Sequence, residues 1–203
     1  MLHTEVIFRA IMGIPAIRVS IFAARYIAHC LNNTVKLLVL NSRLFSSSVH
    51  LSCQLGHSSI SNIRIGCSCR IGRSNTFLVG STGSKLGEAY IKIGDNCVVN
   101  ESNSFRAGES FIDIGSNVVI SQSVIFVATN YILPFDDPSC LKIDPKRHGI
   151  RIDDNCFIGA ASVILPGVRI RNGITIAANS TVTCDCDISG VYAGSPARLI
   201  RRY

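Results

Sequence analysis

The chain has 203 residues, of which 47% are hydrophobic, only 7% are aromatic and none is tryptophan. This length suits one folded domain with an extension. Lys and Arg (20 residues) exceed Asp and Glu (13 residues), giving a net charge of +7. No aromatic-rich basic ribbon accompanies the excess, so we expect no nucleic-acid partner. Such charges also suit a phosphate-bearing co-substrate or an anionic membrane surface.

Residues 1–45 are predicted to form a helical extension. Arg9, Arg18 and Arg25 interrupt its apolar stretch, and each would cost about 2.5 to 3.5 kcal/mol at the centre of a bilayer, so a spanning helix is not expected. The segment also lacks the basic start and the small-residue cleavage site of a signal peptide. We therefore expect a cytoplasmic protein, at most peripheral at the inner face of the membrane.

Two roles for this extension remain open, and they can coexist. From Pro15 onward, Arg18, Arg25, His29 and Lys36 fall on one stripe of an otherwise apolar helix. Such a helix suits a membrane interface, which predicts peripheral contact through residues 6–40. Alternatively, the helix caps the open end of the following domain with its basic stripe facing water.

Residues 46–203 are dominated by a six-residue repeat of large apolar residues. The runs are Ile65, Ile71 and Phe77; Ile93, Val99 and Phe105; Ile114, Ile120 and Phe126; and Ile152, Ile158, Ile164, Ile170, Ile176 and Val182. Gly often follows the apolar residue, and Asn, Asp and Ser crowd the positions between, which predicts short strands joined by tight turns with left-handed backbone angles. Each six-residue piece buries one large side chain, so the coils must stack into a mainly β solenoid.

The repeat fails between Phe126 and Ile152, where Pro134, Pro138 and Pro145 occur. This predicts an excursion loop over residues 130–151. After the last repeat, residues 188–203 are predicted to be a C-terminal tail.

The nine cysteines do not have the spacing of a zinc site. Cys67 and Cys69 are separated by one residue, as are Cys184 and Cys186. We expect free thiols in a reducing cytoplasm and no metal.

Four motifs in the last third carry a family resemblance. They read Ile152-Asp-Asp-Asn-Cys-Phe-Ile-Gly-Ala160, Val163-Ile-Leu-Pro-Gly-Val168, Ala177-Ala-Asn-Ser-Thr-Val-Thr183 and Ala193-Gly-Ser-Pro-Ala-Arg198. The chain from about residue 50 onward resembles the hexapeptide-repeat acyltransferases, most of all the sugar O-acetyltransferases of the maltose and galactoside type. The resemblance implies a left-handed parallel β-helix, a homotrimer, and transfer of acetyl from acetyl-CoA to a carbohydrate hydroxyl in bacterial surface polysaccharide biosynthesis.

In that family acetyl-CoA lies along the last coils, between subunits. The resemblance implicates Ala160 and Ala178, which are 18 residues apart and so should stack one coil above the other. The family's Thr-Lys pair corresponds to Thr183 and Cys184, so one cation is absent here. The last two implicated residues, Arg198 and Arg201, match positions where the family places charge near the CoA phosphates.

The family's catalytic motif departs from its pattern in this chain. A Thr-x-x-His motif before the loop supplies the general base in the family, whereas this chain places Asn130 or Tyr131 there. Asn cannot accept the proton of an attacking hydroxyl, a task worth about 10²- to 10⁴-fold in rate. His148, at the end of the loop, is the leading substitute and His57 the second.

Two further residues are candidates for acceptor contacts. Asn100 resembles an Asn in the acceptor pocket of the family, where a carboxamide can hydrogen-bond a sugar hydroxyl. Tyr131 is the second candidate.

Two other functions stay open. With an amino-sugar acceptor, whose amine is the better nucleophile, Asn130 would only orient the acceptor. Alternatively, the chain is a non-catalytic β-helix used for binding or assembly, since a fold does not entail an activity.

Overall fold

The computed structural model describes residues 31–35, 37, 46–56, 60–80, 89–132 and 142–203. Within these ranges the chain winds as a prism with three faces, each a β-sheet whose strands pair parallel, apart from the antiparallel last strand of one sheet. The strands are β1 (Ser48–Val49), β2 (Gln54–Leu55), β3 (Ile63–Ile65), β4 (Arg70–Ile71), β5 (Thr76–Val79), β6 (Tyr90–Ile93), β7 (Val98–Val99), β8 (Ser104–Gly108), β9 (Phe111–Ile114), β10 (Val119–Ile120), β11 (Ile125–Val127), β12 (Thr129–Ile132), β13 (Lys142–His148), β14 (Ile150–Ile152), β15 (Phe157–Ile158), β16 (Val163–Ile164), β17 (Arg169–Ile170), β18 (Thr175–Ile176), β19 (Thr181–Val182), β20 (Gly190–Gly194) and β21 (Ala197–Arg202). A 3₁₀ turn spans Ile60–Asn62.

The three sheets take one strand from each coil. The first sheet has the order β1-β4-β7-β10-β15-β18-β20-β21, the second β19-β16-β11-β8-β5-β2, and the third β17-β14-β9-β6-β3. Apart from the consecutive pairs β12–β13 and β20–β21, successive strands along the chain therefore belong to different faces, and strands that pair come from neighbouring coils. This mainly β architecture confirms the predicted solenoid and is consistent with the left-handed β-helix of hexapeptide repeats.

The six-residue period places one large apolar residue on each inner face. Ile152 pairs with Ile170, Ile158 with Ile176, and Ile164 with Val182. Lower in the prism, the rings of Phe77, Phe105 and Phe126 stack at centroid distances of 4.9 and 4.8 Å. These side chains are almost fully buried, so the core is a continuous column in which each coil covers the next.

The chain turns through left-handed backbone angles three positions after the repeated apolar residue. Non-glycine residues with φ between 55° and 61° are Ser68, Ser74, Asn96, Ser102, Asn117, Ser123, Asn155, Ala161 and Asn179. The left-handed angles thus fall mostly on Ser and Asn. Gly66 and Gly94 allow adjacent coils to pack closely. A Cβ on Gly66 would lie 2.7 Å from the carbonyl carbon of Gly94, and a Cβ on Gly94 would lie 2.6 Å from the carbonyl carbon of Gly115.

Buried polar side chains at the corners satisfy backbone groups of adjacent coils. Asn75 and Asn103 each donate from Nδ2 to the Asn100 carbonyl, at 2.8 and 3.0 Å, and each accepts a backbone N–H of the next coil at Oδ1. The Cys97 thiol donates to the Gly115 carbonyl at 3.1 Å. The seven cysteines in the described ranges are free thiols, and five of them are buried structural residues.

The β1 end of the prism is covered in part by the helical residues 31–35 and 37. Leu37 is fully buried in the core. Asn33 donates from Nδ2 to the Cys53 carbonyl and accepts from the Leu55 N–H at Oδ1, both at 2.8 Å. The rest of the predicted extension lies outside the described residues. Among the helices that are described, none is long and apolar enough to cross a bilayer.

Two predicted irregular segments contain strands. Within the excursion predicted over residues 130–151, β12 and β13 pair antiparallel, and the prism resumes with β14 at Ile150. Residues 188–203, predicted as a tail, extend the first sheet instead: β20 pairs parallel with β18, and β21 folds back antiparallel on β20. In both places a reversal of the chain lets strand pairing continue without the six-residue period.

Candidate functional site

The hairpin β12–β13 leaves the prism at the corner between the second and third sheets. Thr129 pairs with His148, Tyr131 with Ile143 and Ile132 with Lys142, with a shift in register between the first two pairs. Residues 144–147 therefore bulge opposite Asn130. This register places His148 directly across from Thr129, beside the position where the family motif would place its base.

His148 is half-buried and held by two neighbours. Its Nδ1 lies 3.2 Å from the hydroxyl oxygen of Ser110, which is 3% exposed. Its ring meets the ring of Phe111 edge-on, at 6.1 Å and 89°. A base oriented by a third group is the arrangement found in nucleophile-activating sites, and the contact with Ser110 leaves Nε2 for an acceptor.

Short contacts at the base of the hairpin fix its direction. The Thr129 hydroxyl donates to the Ala107 carbonyl at 2.7 Å, and the Gly149 N–H donates to the Ala128 carbonyl at 2.8 Å. Gly149 has a φ of +76° and packs against the Phe111 ring. The chain can therefore return to the prism immediately after His148.

Asn130 does not stand in for the base. Its Nδ2 donates to Oδ2 of Asp144 at 3.3 Å, and Oδ1 of Asp144 accepts the Lys146 N–H at 2.9 Å. The hydrogen bond from the Lys146 backbone is the main cause that lowers the pKa of Asp144, and the hydrogen bond from Asn130 lowers it further. Tyr131 is the next residue and is 47% exposed, so its ring is free to meet an acceptor.

Asn100 lies on a different corner, between the first and second sheets. Its carbonyl oxygen receives the Asn75 and Asn103 amides, while its own half-buried carboxamide makes no hydrogen bond inside the described part of the chain. The asparagine ladder at this corner is therefore built by Asn75 and Asn103. The Asn100 side chain remains available to a ligand.

Ala160 and Ala178 lie one coil apart at one turn position of this same corner. Ile158 pairs with Ile176, and the Asn179 N–H donates to the Ala160 carbonyl at 2.8 Å. In the lower coils, the residues at this turn position are Arg73, Glu101 and Gln122, all exposed. In the last two occurrences the residue is Ala, so the upper coils carry only a small side chain at this position.

The other residues implicated in CoA binding lie higher in the prism. Thr183 and exposed Cys184 follow β19 on the hairpin's corner. Arg198 and Arg201 are exposed on β21; Nη1 of Arg198 donates to the Ala197 carbonyl at 2.8 Å, and the Arg201 guanidinium lies 5.5 Å from the Tyr203 ring centroid. Both arginines keep donors directed to solvent.

Within one chain the structure does not bring all the candidates together. The hairpin with His148 and Asn130 shares a corner with Thr183 and Cys184, whereas Asn100, Ala160 and Ala178 lie on another corner, with the second sheet between them. His57 lies outside the described residues. Within the described ranges, no group of three or more His, Cys, Asp or Glu side chains could hold a metal ion.

Sequence reasoning missed Ser110 and Asp144. Ser110 precedes β9 and Asp144 lies within β13, and neither has a motif around it. The two become visible only once the hairpin register places one beside His148 and the other beside Asn130.

Comparisons with known proteins agree with the repeat pattern. Residues 149–184 match the family described as hexapeptide repeat of succinyl-transferase, which confirms the predicted repeats. The 2,3,4,5-tetrahydropyridine-2,6-dicarboxylate N-acetyltransferase of Staphylococcus aureus is 41% identical over 58 residues, 29% of this chain and 24% of that enzyme. The chain thus aligns with about a quarter of the length of this curated relative.

Two solved structures share the fold. A variant of AntD, an N-acyltransferase from Bacillus cereus in complex with dTDP and coenzyme A, superimposes with a TM-score of 0.64 at 20% identity, over 82% of this chain and 88% of that chain. The polySia-specific acetyltransferase NeuO gives a TM-score of 0.55 at 22% identity, over 69% of this chain and 56% of that chain. At these identities the likeness shows the fold.

Proposed function

We propose that this chain, which carries hexapeptide repeats, is an acyltransferase that moves an acetyl group from acetyl-CoA to a hydroxyl of a sugar. The observation that carries the proposal is the placement of His148. The hairpin register sets it beside Asn130, and Ser110 orients its ring. A positioned imidazole near Asn130 supports the proposal that His148 replaces the histidine that the family motif lacks here.

The chemistry requires one proton acceptor and one acyl donor. Nε2 of His148 takes the proton of the acceptor hydroxyl as the oxygen attacks the thioester carbonyl. The tetrahedral intermediate then collapses by breaking its carbon–sulfur bond. His148 returns the proton to the departing CoA thiolate, so the products are the acetyl ester and CoA.

CoA binding is proposed along the upper coils. The small side chains of Ala160 and Ala178 would leave room for the pantetheine arm, while Thr183 and Cys184 follow the last repeat. Arg198 and Arg201 supply charge for the phosphates. The AntD complex, which contains coenzyme A, supports an acyl-CoA donor.

A homotrimer would unite the two corners. The middle coils present outward apolar side chains on the first sheet (Val98, Val119, Phe157) and on the second (Ile125, Val163), whereas the third sheet presents Arg64, Lys92, Asp113, Arg151 and Arg169. Polar residues, among them Arg70, Thr76, Thr175 and Thr181, lie outward on the other coils of the first two sheets. A closed ring needs two different patches that meet head to tail, which the first two faces provide. The corner with Ala160 and Ala178 of one subunit would then meet the hairpin of its neighbour, with Asn100 and Tyr131 contacting the acceptor.

The second candidate is transfer to an amino sugar. AntD is an N-acyltransferase, and an amine needs less help from a base than a hydroxyl does. Under this candidate Asn130 and Asp144 lie beside the acceptor amine.

The proposed setting is cytoplasmic, with the N-terminal segment 6–40 in peripheral contact with the membrane. Surface polysaccharide units assembled on lipid carriers would then be the acceptors. Full-length protein bound to anionic vesicles, and released by salt, would support this placement.

The test is CoA thiol release with acetyl-, succinyl- and 3-hydroxybutyryl-CoA against sugars, amino sugars and sugar nucleotides. His148→Ala should lower kcat by about 10²- to 10⁴-fold, and Asn130→His in that background should restore part of the loss. Turnover unchanged in His148→Ala would remove the proposed base. Turnover restricted to amines and indifferent to His148 would favour the second candidate, and no turnover or CoA binding would leave a non-catalytic β-helix.

A further inference from the structure

We infer that Asn130 and Asp144 form a clamp that positions His148. This inference rests on the proposed function, because it assigns Asn130 the task of holding the base rather than acting as one. The clamp consists of the Asn130–Asp144 side-chain contact at 3.3 Å and the Asp144–Lys146 backbone contact at 2.9 Å.

The register of the hairpin shows why a clamp is needed. Between the pairs Tyr131–Ile143 and Thr129–His148, one strand contributes only Asn130 and the other contributes residues 144–147. The surplus residues lack ladder partners, and a bulge of this kind bends its strand and redirects the side chains beside it. Without a fixed bulge, the direction in which His148 leaves the strand would not be defined.

Asp144 holds this bulge through two hydrogen bonds. Its Oδ1 accepts the Lys146 N–H inside the bulge, and its Oδ2 accepts the Asn130 amide from the opposite strand. Two carboxylate oxygens thus fasten the bulged strand to itself and to its partner. A charged acceptor makes these hydrogen bonds stronger than neutral ones.

On the other side, His148 is fixed by Ser110 and Phe111 of the prism. The imidazole is therefore held by Ser110 and Phe111 on the side of the prism, and its backbone directly follows the clamped bulge. The amide of Asn130 supplies the donor that the clamp requires. The substitution that removes the family's base thus supplies a holder for its replacement.

The test uses the full chain and its five histidines, labelled with ¹³C at Cε1. In Asn130→Ala and Asp144→Ala, the His148 Cε1–H resonance should move toward the position of a freely exposed histidine, while the other four stay in place. Asp144→Asn, which keeps one oxygen acceptor, should give an intermediate shift. Asp95→Ala is the matched control, because Asp95 also accepts a turn N–H, that of Cys67 at 2.7 Å, on a lower coil.

Kinetics provide the second measurement. Misplacement of a catalytic group by about 1 Å can cost on the order of 10²-fold, so Asn130→Ala and Asp144→Ala should each lower kcat to that extent with the KM for acetyl-CoA unchanged. The double variant should be no slower than the slower single variant, because Asn130→Ala and Asp144→Ala each break the same hydrogen-bonded clamp.

The outcomes separate the two proposals. A His148 resonance that stays at its wild-type position in both single variants overturns the clamp, whatever the activity. A shifted resonance in a protein that shows no turnover with any acceptor supports the clamp and counts against the proposed acyl transfer. A shift of equal size in Asp95→Ala would also overturn the clamp, because the effect would then not be local.

Discussion

Gly149 lies directly against the ring of Phe111, so closely that a Cβ added to Gly149 would overlap the ring carbons. The two residues belong to neighbouring coils, and Gly149 connects His148 to the prism. Any side chain at Gly149 would push Phe111 away from the His148 ring that it contacts.

The Gly149–Phe111 contact predicts unequal costs for two glycine substitutions. Gly149 and Gly173 have nearly the same φ, +76° and +72°, but the nearest atom to a Cβ on Gly173 is 4.0 Å away. Both Ala variants carry the backbone strain of a left-handed residue, whereas only Gly149→Ala is also overpacked, a difference of about 1 to 3 kcal/mol. Urea unfolding should show this gap, and equal losses in the two variants would contradict the packing shown here.

The proposed CoA contacts of Ala160 and Ala178 predict a specific loss of CoA binding. Ala178→Trp adds a large side chain at an exposed turn, so the KM for acetyl-CoA should rise at least about tenfold, on the order of 1.4 kcal/mol of binding, with unfolding unchanged. Glu101→Trp, at the same turn position of a lower coil, is the control. An equal KM in the two variants would place the acyl donor elsewhere.

A shared site between subunits can be tested by mixing variants. His148→Ala and Ala178→Trp each disable one of the two corners. Oligomers refolded from a mixture should regain activity that neither variant has alone, because some interfaces then combine two intact corners. Activity that stays at the level of the separate variants would argue for a site within one chain.

The contact between Asn33 and β2 predicts a role in terminating the prism. Asn33→Ala removes two hydrogen bonds from an edge strand, which should cost about 1 to 3 kcal/mol. An uncovered edge also invites pairing with another chain, so light scattering should reveal larger assemblies. The adjacent, exposed Asn32→Ala should have neither effect.

Two buried thiols predict a loss of stability at high pH. Burial raises the pKa of Cys97 from its ordinary value of 9.0 to about 11, and that of Cys186 to about 12. Because the folded state resists losing these protons, their contribution is fully present below pH 9 and is lost as the pH rises through about 11 and 12. Melting temperatures measured between pH 8 and 11 should fall.

Cys97→Val should flatten this alkaline decline. Val118 occupies the equivalent position one coil higher, so the corner accepts a valine. In wild type, a thiol reagent at pH 8 should label exposed Cys67 and Cys184 before Cys97 and Cys186. Early labelling of Cys97 would contradict its burial.

The six-residue period by itself determined the solenoid, its stacked core and the one-coil separation of Ala160 and Ala178. It could do so because one residue in six must be apolar for every coil to cover the next. The hairpin register, the bulge at Asp144 and the contact of His148 with Ser110 have no such period. Only the tertiary structure decided these features, because they depend on pairing between segments that no local pattern relates.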